Sequence, residues 1–270
     1  MKITFVGGGN MASALISGLL QQGFTPRQLH VIEIHPENRE KLKQNFGLSV
    51  SENLAEGVSV SDVIVLSVKP QQLPDVARDL SPLLNNQLVI SIAAGIRATD
   101  IVRWLNGHHR VVRAMPNTPS LVGSGVAGLY ATPGIGEQDK KNAESILTAV
   151  GSVLWVDHEE LLHAVTAISG SGPAYVFYFI EAMQQAAVEL GLTAEQARQL
   201  SLLTFEGASQ LANSSDDNVT ILRARVTSKG GTTERAIQTM EKNDIKCKII
   251  AAIRAANDRS REMSDEYGKI

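Results

Sequence analysis

Residues 3–12 read ITFVGGGNMA. Four strand-forming residues run into three glycines, and a helical pattern begins near Asn10. Gly7, Gly9 and Ala12 form a G-x-G-x-x-A pattern, in which the first glycine permits a tight turn, the second lets the backbone approach a pyrophosphate, and Ala12 keeps the helix close to the strand. A glycine-rich turn without a ligand has the same short pattern. In this strand-turn-helix context, however, the pattern favours a dinucleotide-binding turn.

The chain up to about residue 157 alternates short β-branched runs with helix-like segments, which is typical of βαβ units around a parallel sheet. Several runs are apolar almost without alternation, as in strands covered on both faces. The predicted strands are Ile3 to Val6, His30 to Ile34, Val63 to Val68, Leu88 to Ile92, Val111 to Ala114, Val126 to Tyr130 and Val153 to Val156, and helices are predicted to begin near Asn10, Pro36, Gln71, Arg97 and Gly136. This pattern predicts an α/β fold with an N-terminal Rossmann-type, mostly parallel sheet.

After residue 158 the strand signals fade, and Ala, Gln, Glu and Leu recur with helical spacing. We therefore predict a dinucleotide-binding domain over 1–157 and an all-helical domain over 158–270. Gly191 fits a helix stop, and Thr193 with Gln196 fits the capping box of the next helix. The predicted helices are Pro173 to Leu190, interpreted as a buried helix rather than a membrane span, Thr193 to Asn213, Thr232 to Lys242 and Ile245 to about Tyr267.

Composition excludes several classes of protein. With 43% hydrophobic and 20% charged residues the chain is globular rather than disordered, and a net charge of −3 without a basic stripe argues against nucleic acid as a partner. The N-terminus lacks the features of a signal peptide, which predicts a cytoplasmic protein with no membrane partner. The single cysteine, Cys247, excludes an internal disulfide and is expected in the core. The histidines lack metal-ligand spacing, so no metal site is predicted, and His163 is expected on a helix surface.

The end of the second predicted strand bears on the choice of cofactor. Glu33 can accept a hydrogen bond from the 2′-hydroxyl of an adenosine ribose and would repel a 2′-phosphate. His35 and Arg39 follow and could instead meet that phosphate, although Arg39 also fits an exposed helix position. These residues leave the choice between NADPH and NADH open and slightly favour NADH.

Residues that follow later strands should lie in the same crevice, because open parallel sheets bind ligands beyond the carboxyl ends of their strands. Lys69 and Pro70 close one strand, Ala93 closes another, and two prolines hold Asn117 in a rigid turn after a third. Each segment alone is also typical of the turn residues that end a strand. Together with the first turn they outline one cofactor crevice.

Two loops interrupt the helical half. The first is SGSGP, residues 169–173, which Thr166 precedes by three residues. A hydroxyl there could supply a proton to a nitrogen that is being reduced, although a helical Thr more often bonds its own i−4 carbonyl. The second is TSKGGTT, residues 227–233, whose glycines and hydroxyls before a helix suit a carboxylate. A simple N-cap by Thr232 or Thr233 is the competing interpretation.

Six motifs in order now support a resemblance. GGGNMA, SVKPQ, SIAAG, RAMPNTP, SGSGPAYVF and TSKGGTT resemble the pyrroline-5-carboxylate reductase family from Gly7 to Thr233. The resemblance implies a Rossmann domain, a helical domain that dimerises, and often a ring of five dimers. It also implies reduction of Δ1-pyrroline-5-carboxylate to L-proline by NADPH or NADH.

The resemblance also assigns roles to individual residues. Thr166 would sit at the imine nitrogen as proton donor, and Lys229 stands where many members have proline, which makes its loop less rigid. The pyrophosphate turn would be Gly7, Gly9, Asn10 and Met11, the cofactor crevice Lys69, Pro70, Ala93 and Asn117, and the carboxylate site Ser228, Gly231, Thr232 and Thr233.

Two other interpretations compete with this one. A β-hydroxyacid dehydrogenase or another imine reductase would share the Rossmann domain followed by helices, but the former uses a lysine on an interdomain helix, and none lies between Gly172 and Gly191. A non-catalytic NAD(P)-binding scaffold would have no use for a carboxylate site at Ser228 to Thr233.

Overall fold

The computed structural model describes residues 1–270. The chain divides into two compact units. The first contains residues 1–171 together with 256–270, and the second contains residues 172–255. A functional boundary near Asp157 stays a prediction, because compactness groups residues by packing rather than by role.

The first unit is built on one eight-stranded sheet with the order β3-β2-β1-β4-β5-β6-β7-β8. All neighbouring strands are parallel except β6 and β7, which are antiparallel. The predicted Rossmann-type, mostly parallel sheet is therefore confirmed. The strands are β1 (Ile3–Val6), β2 (Leu29–Ile32), β3 (Ser49–Ser51), β4 (Val63–Leu66), β5 (Leu88–Ser91), β6 (Val111–Met115), β7 (Gly125–Ala131) and β8 (Gly151–Trp155).

Seven α-helices lie entirely within this unit. They are α1 (Asn10–Gln21), α2 (Pro36–Phe46), α3 (Leu54–Val58), α4 (Leu73–Leu80), α5 (Ala98–Trp104), α6 (Glu137–Leu147) and α7 (Leu161–Val165). Two elements were not predicted, β3 and α3, because segments of three and five residues are too short to show a period.

The central strands are buried on both faces. In β4, Val63 and Val65 join one apolar cluster, whereas Ile64 and Leu66 join a second cluster on the opposite face. Successive side chains of a strand point to opposite faces, so a sheet between two helical layers needs apolar residues at every position. This is why the strand sequences lack alternation.

The second unit is helical, as predicted, and α8 packs against α9. Gly191, just after α8, has φ of +99°, as expected of a helix stop. Thr193 and Gln196 form the expected capping box at the start of α9. The helices are α8 (Gly172–Glu189), α9 (Ala194–Asn213), α10 (Val219–Arg225), α11 (Thr232–Lys242) and α12 (Ile245–Gly268), of which α10 was not predicted and α12 continues into the first unit from Ala256.

Three expectations about burial were wrong. Cys247 is exposed, and His163 is buried with 2% exposure. The helix α8 is not a buried helix in this single chain, since Ile180 is its only buried residue. Its apolar composition therefore reflects a surface rather than a core. None of the helices combines the length and apolarity needed to cross a lipid bilayer.

Candidate active site

The glycine loop between β1 and α1 lies directly against the end of β4. Gly7 has φ of +100°, and a Cβ atom at this position would lie 2.9 Å from the backbone carbon and oxygen of Ser67. The Ser67 hydroxyl also donates to the Gly7 carbonyl at 2.7 Å. A side chain at Gly7 would thus push the loop off the sheet.

Gly9 faces the opposite way, into open space, because no atom lies within 4 Å of a Cβ built on it. It is the N-cap of α1 and provides no side-chain cap, so the first amides of the helix remain available. Asn10 is exposed at the first position of the helix, and Met11 packs partly against the core. A phosphate can approach this backbone closely, as the sequence pattern requires.

Glu33 holds the glycine loop from the side of β2. Glu33 as a whole is 7% exposed. One carboxylate oxygen accepts from the Gly8 amide at 3.0 Å, and the other accepts from the His35 amide at 2.9 Å. The negative charge is therefore fixed beside the loop by two backbone donors.

Arg39 is not free to meet a phosphate. Its guanidinium donates to the carbonyls of Glu33 and Ile34, both at 2.9 Å, and forms an ion pair with Glu52 at 3.0 Å. The His35 side chain is exposed. The region beyond β2 thus presents a fixed carboxylate and an arginine whose charge is already paired.

A cavity of about 530 Å³ opens between these elements. This volume suits part of a dinucleotide, and the open face of Gly9 and the uncapped start of α1 suit its pyrophosphate. The predicted residues that line the cavity are Gly7, Gly9, Glu33, His35 and Lys69. The residues present therefore fit a nicotinamide dinucleotide.

The remaining predicted crevice residues lie outside this cavity. Pro70 begins a short 3₁₀ turn after β4, and Ala93 is buried after β5. Asn117 follows β6 and is 8% exposed. Its side chain contacts backbone groups, since Nδ2 donates to the Ser169 carbonyl at 3.1 Å and Oδ1 accepts from the Val126 amide at 2.9 Å.

Thr166 begins a π-helical turn, residues Thr166–Gly170, that directly follows α7. Its hydroxyl donates to the Leu162 carbonyl at 2.7 Å, which is the ordinary i−4 bond of a helical Thr. The side chain is half-buried. The hydroxyl proton is used in this bond to Leu162, whereas the hydroxyl oxygen can still accept a hydrogen bond. Single π turns occur frequently at functional sites.

The loop before α11 differs from a simple N-cap. Gly231 occupies the cap position without a side-chain cap bond, and Thr232 and Thr233 lie inside the first turn of the helix. The Gly230 amide donates to Glu234 at 2.7 Å. The interpretation in which Thr232 or Thr233 caps the helix is therefore wrong, and the hydroxyls and amides at the start of α11 remain available for an anion.

A buried ion pair beside β6 was not predicted from the sequence. Arg113 on β6 pairs with Glu159, which also accepts from the Ala98 amide at 2.6 Å. Burial lowers the pKa of the Arg113 guanidinium, and the neighbouring Glu159 opposes that shift. The only sequence signal was an arginine inside an apolar strand, and its partner lies 46 residues away.

Comparison with known proteins matches this architecture. Residues 159–263 match the family model described as pyrroline-5-carboxylate reductase dimerisation, and residues 2–95 match the model described as NADP oxidoreductase coenzyme F420-dependent. The chain is 44% identical to the pyrroline-5-carboxylate reductase of Pseudomonas aeruginosa, over 99% of this chain and 98% of that protein. The chain belongs to the pyrroline-5-carboxylate reductase family. The resemblance drawn from six motifs is confirmed.

Solved structures of pyrroline-5-carboxylate reductases share the fold over nearly the whole length. The protein from Coxiella burnetii superposes with a TM-score of 0.93 at 42% identity, covering 97% of this chain and 98% of that one. The Plasmodium falciparum pyrroline carboxylate reductase with NADP bound has a TM-score of 0.88 at 31% identity, with 98% of each chain covered. The β-hydroxyacid dehydrogenase interpretation is accordingly set aside.

Proposed function

We propose that this chain reduces Δ1-pyrroline-5-carboxylate to L-proline with NADPH or NADH, the last step of proline biosynthesis. The observation that carries the proposal is the full-length match to the Pseudomonas aeruginosa reductase. The site chemistry agrees with it, because one unit offers a dinucleotide cradle and the other a loop suited to a carboxylate. When bound, the reduced nicotinamide supplies a hydride to the carbon of the C=N bond.

The glycine loop binds and orients the dinucleotide. Free amides at the start of α1, beside Gly9, stabilise the pyrophosphate, and Lys69 adds a positive charge at the cavity. In the second unit, Ser228, Thr232 and Thr233 offer hydroxyls and Gly231 an uncapped helix start to the substrate carboxylate. Charge-assisted hydrogen bonds of this type contribute about 1.5 to 3 kcal/mol each.

Thr166 is proposed to act at the imine nitrogen. Reduction of a C=N bond requires a proton on nitrogen. While the Thr166 hydroxyl donates to Leu162, its oxygen can accept a hydrogen bond from a nitrogen that is already protonated. Supplying the proton itself would require that helical bond to open.

A direct assay tests the proposal. The purified chain should oxidise NADH or NADPH only when pyrroline-5-carboxylate is present, as followed by nicotinamide absorbance. A chain that oxidises neither cofactor with this substrate would remove the proposal and would favour a non-catalytic dinucleotide-binding scaffold.

The substrate loop is tested by Thr233→Ala. We expect KM for pyrroline-5-carboxylate to rise about tenfold, the effect of one lost hydrogen bond of roughly 1.4 kcal/mol, while cofactor affinity stays unchanged. Thr239→Ala on the same helix is the control, since its hydroxyl bonds only the Arg235 carbonyl. An unchanged KM for Thr233→Ala would mean that the loop does not bind substrate.

The second unit associates with a second copy of the chain, as its dimerisation-model match indicates. Its surface agrees, because the long helices expose large apolar side chains that a monomer would leave in water. These include Val176, Phe177, Tyr178, Met183, Leu200, Leu203 and Leu211. We propose a homodimer, assembled further as a ring of five dimers. A cytoplasmic location stays a prediction.

Light scattering tests the assembly. The mass should be a multiple of the 29.0 kDa chain, twofold for a dimer and tenfold for the ring. Phe177→Asp, at a side chain that is 65% exposed, should shift the mass towards the monomer. Val60→Asp, at an exposed apolar residue of the other unit, should not. A wild-type chain that elutes as a monomer contradicts the proposal.

A further inference from the structure

The side chain of Asn117 joins the end of β6 to the turn that carries Thr166. It is 8% exposed, and each end of its amide bonds one backbone group. Nδ2 donates to the Ser169 carbonyl at 3.1 Å, and Oδ1 accepts from the Val126 amide at 2.9 Å. Because a carbonyl can only accept and an amide N–H can only donate, these partners fix the orientation of the side-chain amide.

The turn at the other end of this bridge has an unusual conformation. Residues Thr166–Gly170 are π-helical, and the Ser171 amide donates to the Thr166 carbonyl at 2.8 Å. A π turn is less regular than an α-helix and depends on its surroundings to persist. A hydrogen bond from outside the turn, to Ser169, therefore helps to determine where its residues lie.

Close packing places this turn directly on the sheet. A Cβ atom on Gly170 would lie 2.5 Å from Cε of Met115 at the end of β6, and one on Gly128 of β7 would lie 2.7 Å from Val165. The glycines permit the approach but provide no directional bond. Among the contacts between the turn and the strands, Asn117 supplies the directional one.

We propose that Asn117 is a positioning residue for the reaction, which acts by holding the Thr166 turn at a fixed place against β6 and β7 rather than by contacting the cofactor. The inference rests on the proposed function, because it takes Thr166 to act at the imine nitrogen. Reacting groups tolerate little displacement, and a shift of about 1 Å can lower a rate about a hundredfold. Asn117 thereby couples a strand end to a catalytic hydroxyl.

The test compares Asn117→Asp with the wild-type chain. Aspartate keeps an acceptor for Val126 but replaces the donor to Ser169 by a second acceptor. We expect kcat to fall about tenfold or more, with the Kd for NADH and the melting temperature nearly unchanged. Hydrogen exchange should become faster in peptides that cover residues 163–172, with or without cofactor.

Two further variants sharpen the comparison. Asn117→Ala also removes the donor to Ser169 but buries no new charge. It should show the same faster exchange and lower kcat, and it replaces Asn117→Asp in the comparison if the aspartate variant does not fold. Asn142→Asp is the control, because this amide bonds only the Gln138 side chain and lies away from the turn.

The outcomes separate the hypotheses. Unchanged exchange in residues 163–172, or faster exchange with unchanged kcat, would overturn the positioning role. A raised Kd for NADH with normal kcat at saturation would overturn it in favour of direct cofactor contact. A wild-type chain without activity would instead remove the proposed function, while the exchange result would still report on the bridge.

Discussion

Glu33 shows how a single buried carboxylate can serve the fold and select a ligand. It accepts hydrogen bonds from the amides of Gly8 and His35, so its charge stays at the wall of the cavity beside the glycine loop. The nearest arginine, Arg39, is already paired with Glu52. A 2′-phosphate would meet net negative charge there, so we expect NADH to be preferred over NADPH.

Two variants test this preference through separate groups. Glu33→Ser should raise kcat/KM for NADPH relative to NADH by about tenfold, which corresponds to roughly 1.4 kcal/mol. Glu52→Gln should change the ratio in the same direction, because it removes the carboxylate that pairs with Arg39 without touching the glycine loop. Steady-state rates with each cofactor provide the measurement. If NADPH is already preferred in the wild type, the electrostatic argument fails.

Thr166 is the second residue whose role the structure refines. Because its hydroxyl donates to Leu162, Thr166→Val removes one helical side-chain bond along with the group proposed at the imine. We expect kcat to fall by about two orders of magnitude, with cofactor affinity retained. Thr148→Val removes an equivalent bond, to the Glu144 carbonyl, and should leave kcat unchanged. Equal rates for wild type and Thr166→Val would show that the Thr166 hydroxyl does not act at the imine nitrogen.

At the scale of elements, the β1–α1 connection depends on contact as well as on backbone conformation. Gly7 and Gly23 have similar φ angles, +100° and +96°, but only Gly7 faces another strand end. Gly23→Ala should therefore cost about 1 to 2 kcal/mol of stability from backbone strain alone and leave cofactor binding intact.

Gly7→Ala adds a collision with the Ser67 backbone to the same strain. We expect a larger loss of stability than for Gly23→Ala and a loss of NADH binding, because the loop must move away from β4. Urea denaturation and NADH titration of both variants measure the two effects. Normal cofactor binding by Gly7→Ala would show that the loop does not need its contact with Ser67.

At the scale of the whole molecule, the chain returns at its end to the sheet unit. The last turns of α12 contact α7 through His163, whose Nδ1 lies 2.8 Å from the Ser260 hydroxyl. Burial lowers the pKa of His163 below its ordinary value of 6.5, and Glu160 only partly opposes this shift. Below about pH 6.5, His163 binds a proton more readily in the unfolded chain than in the folded chain. The free energy of unfolding therefore falls as the pH falls.

His163→Asn should weaken that pH dependence. The difference in free energy of unfolding between about pH 7.5 and about pH 5.5 is expected to be smaller in this variant than in the wild type. Thr148→Val, which changes no titratable group, should leave the difference unchanged. An identical pH dependence in all three proteins would mean that His163 does not contribute.

The sequence by itself determined the order of elements, the dinucleotide turn and the family. These depend on local signals, namely uninterrupted apolar strands, glycines at fixed spacing and Thr193 at a helix start. Short elements such as β3 and α3 escaped because they contain too few residues to show a period. Five predicted cofactor residues, Gly7, Gly9, Glu33, His35 and Lys69, line the cavity, and the roles of all the predicted site residues stay predictions.

Only the tertiary structure decided what those residues contact. Three such contacts join residues that lie 13 to 97 positions apart in the chain. They are the pairing of Arg39 with Glu52, the bridge from Asn117 to Ser169, and the burial of His163 against Ser260. Such contacts follow from how the strands and helices pack, and no local pattern encodes them. Cys247 and α8 illustrate the same limit, because the sequence alone does not distinguish an apolar residue that packs in a core from one that lies exposed on the surface of the chain.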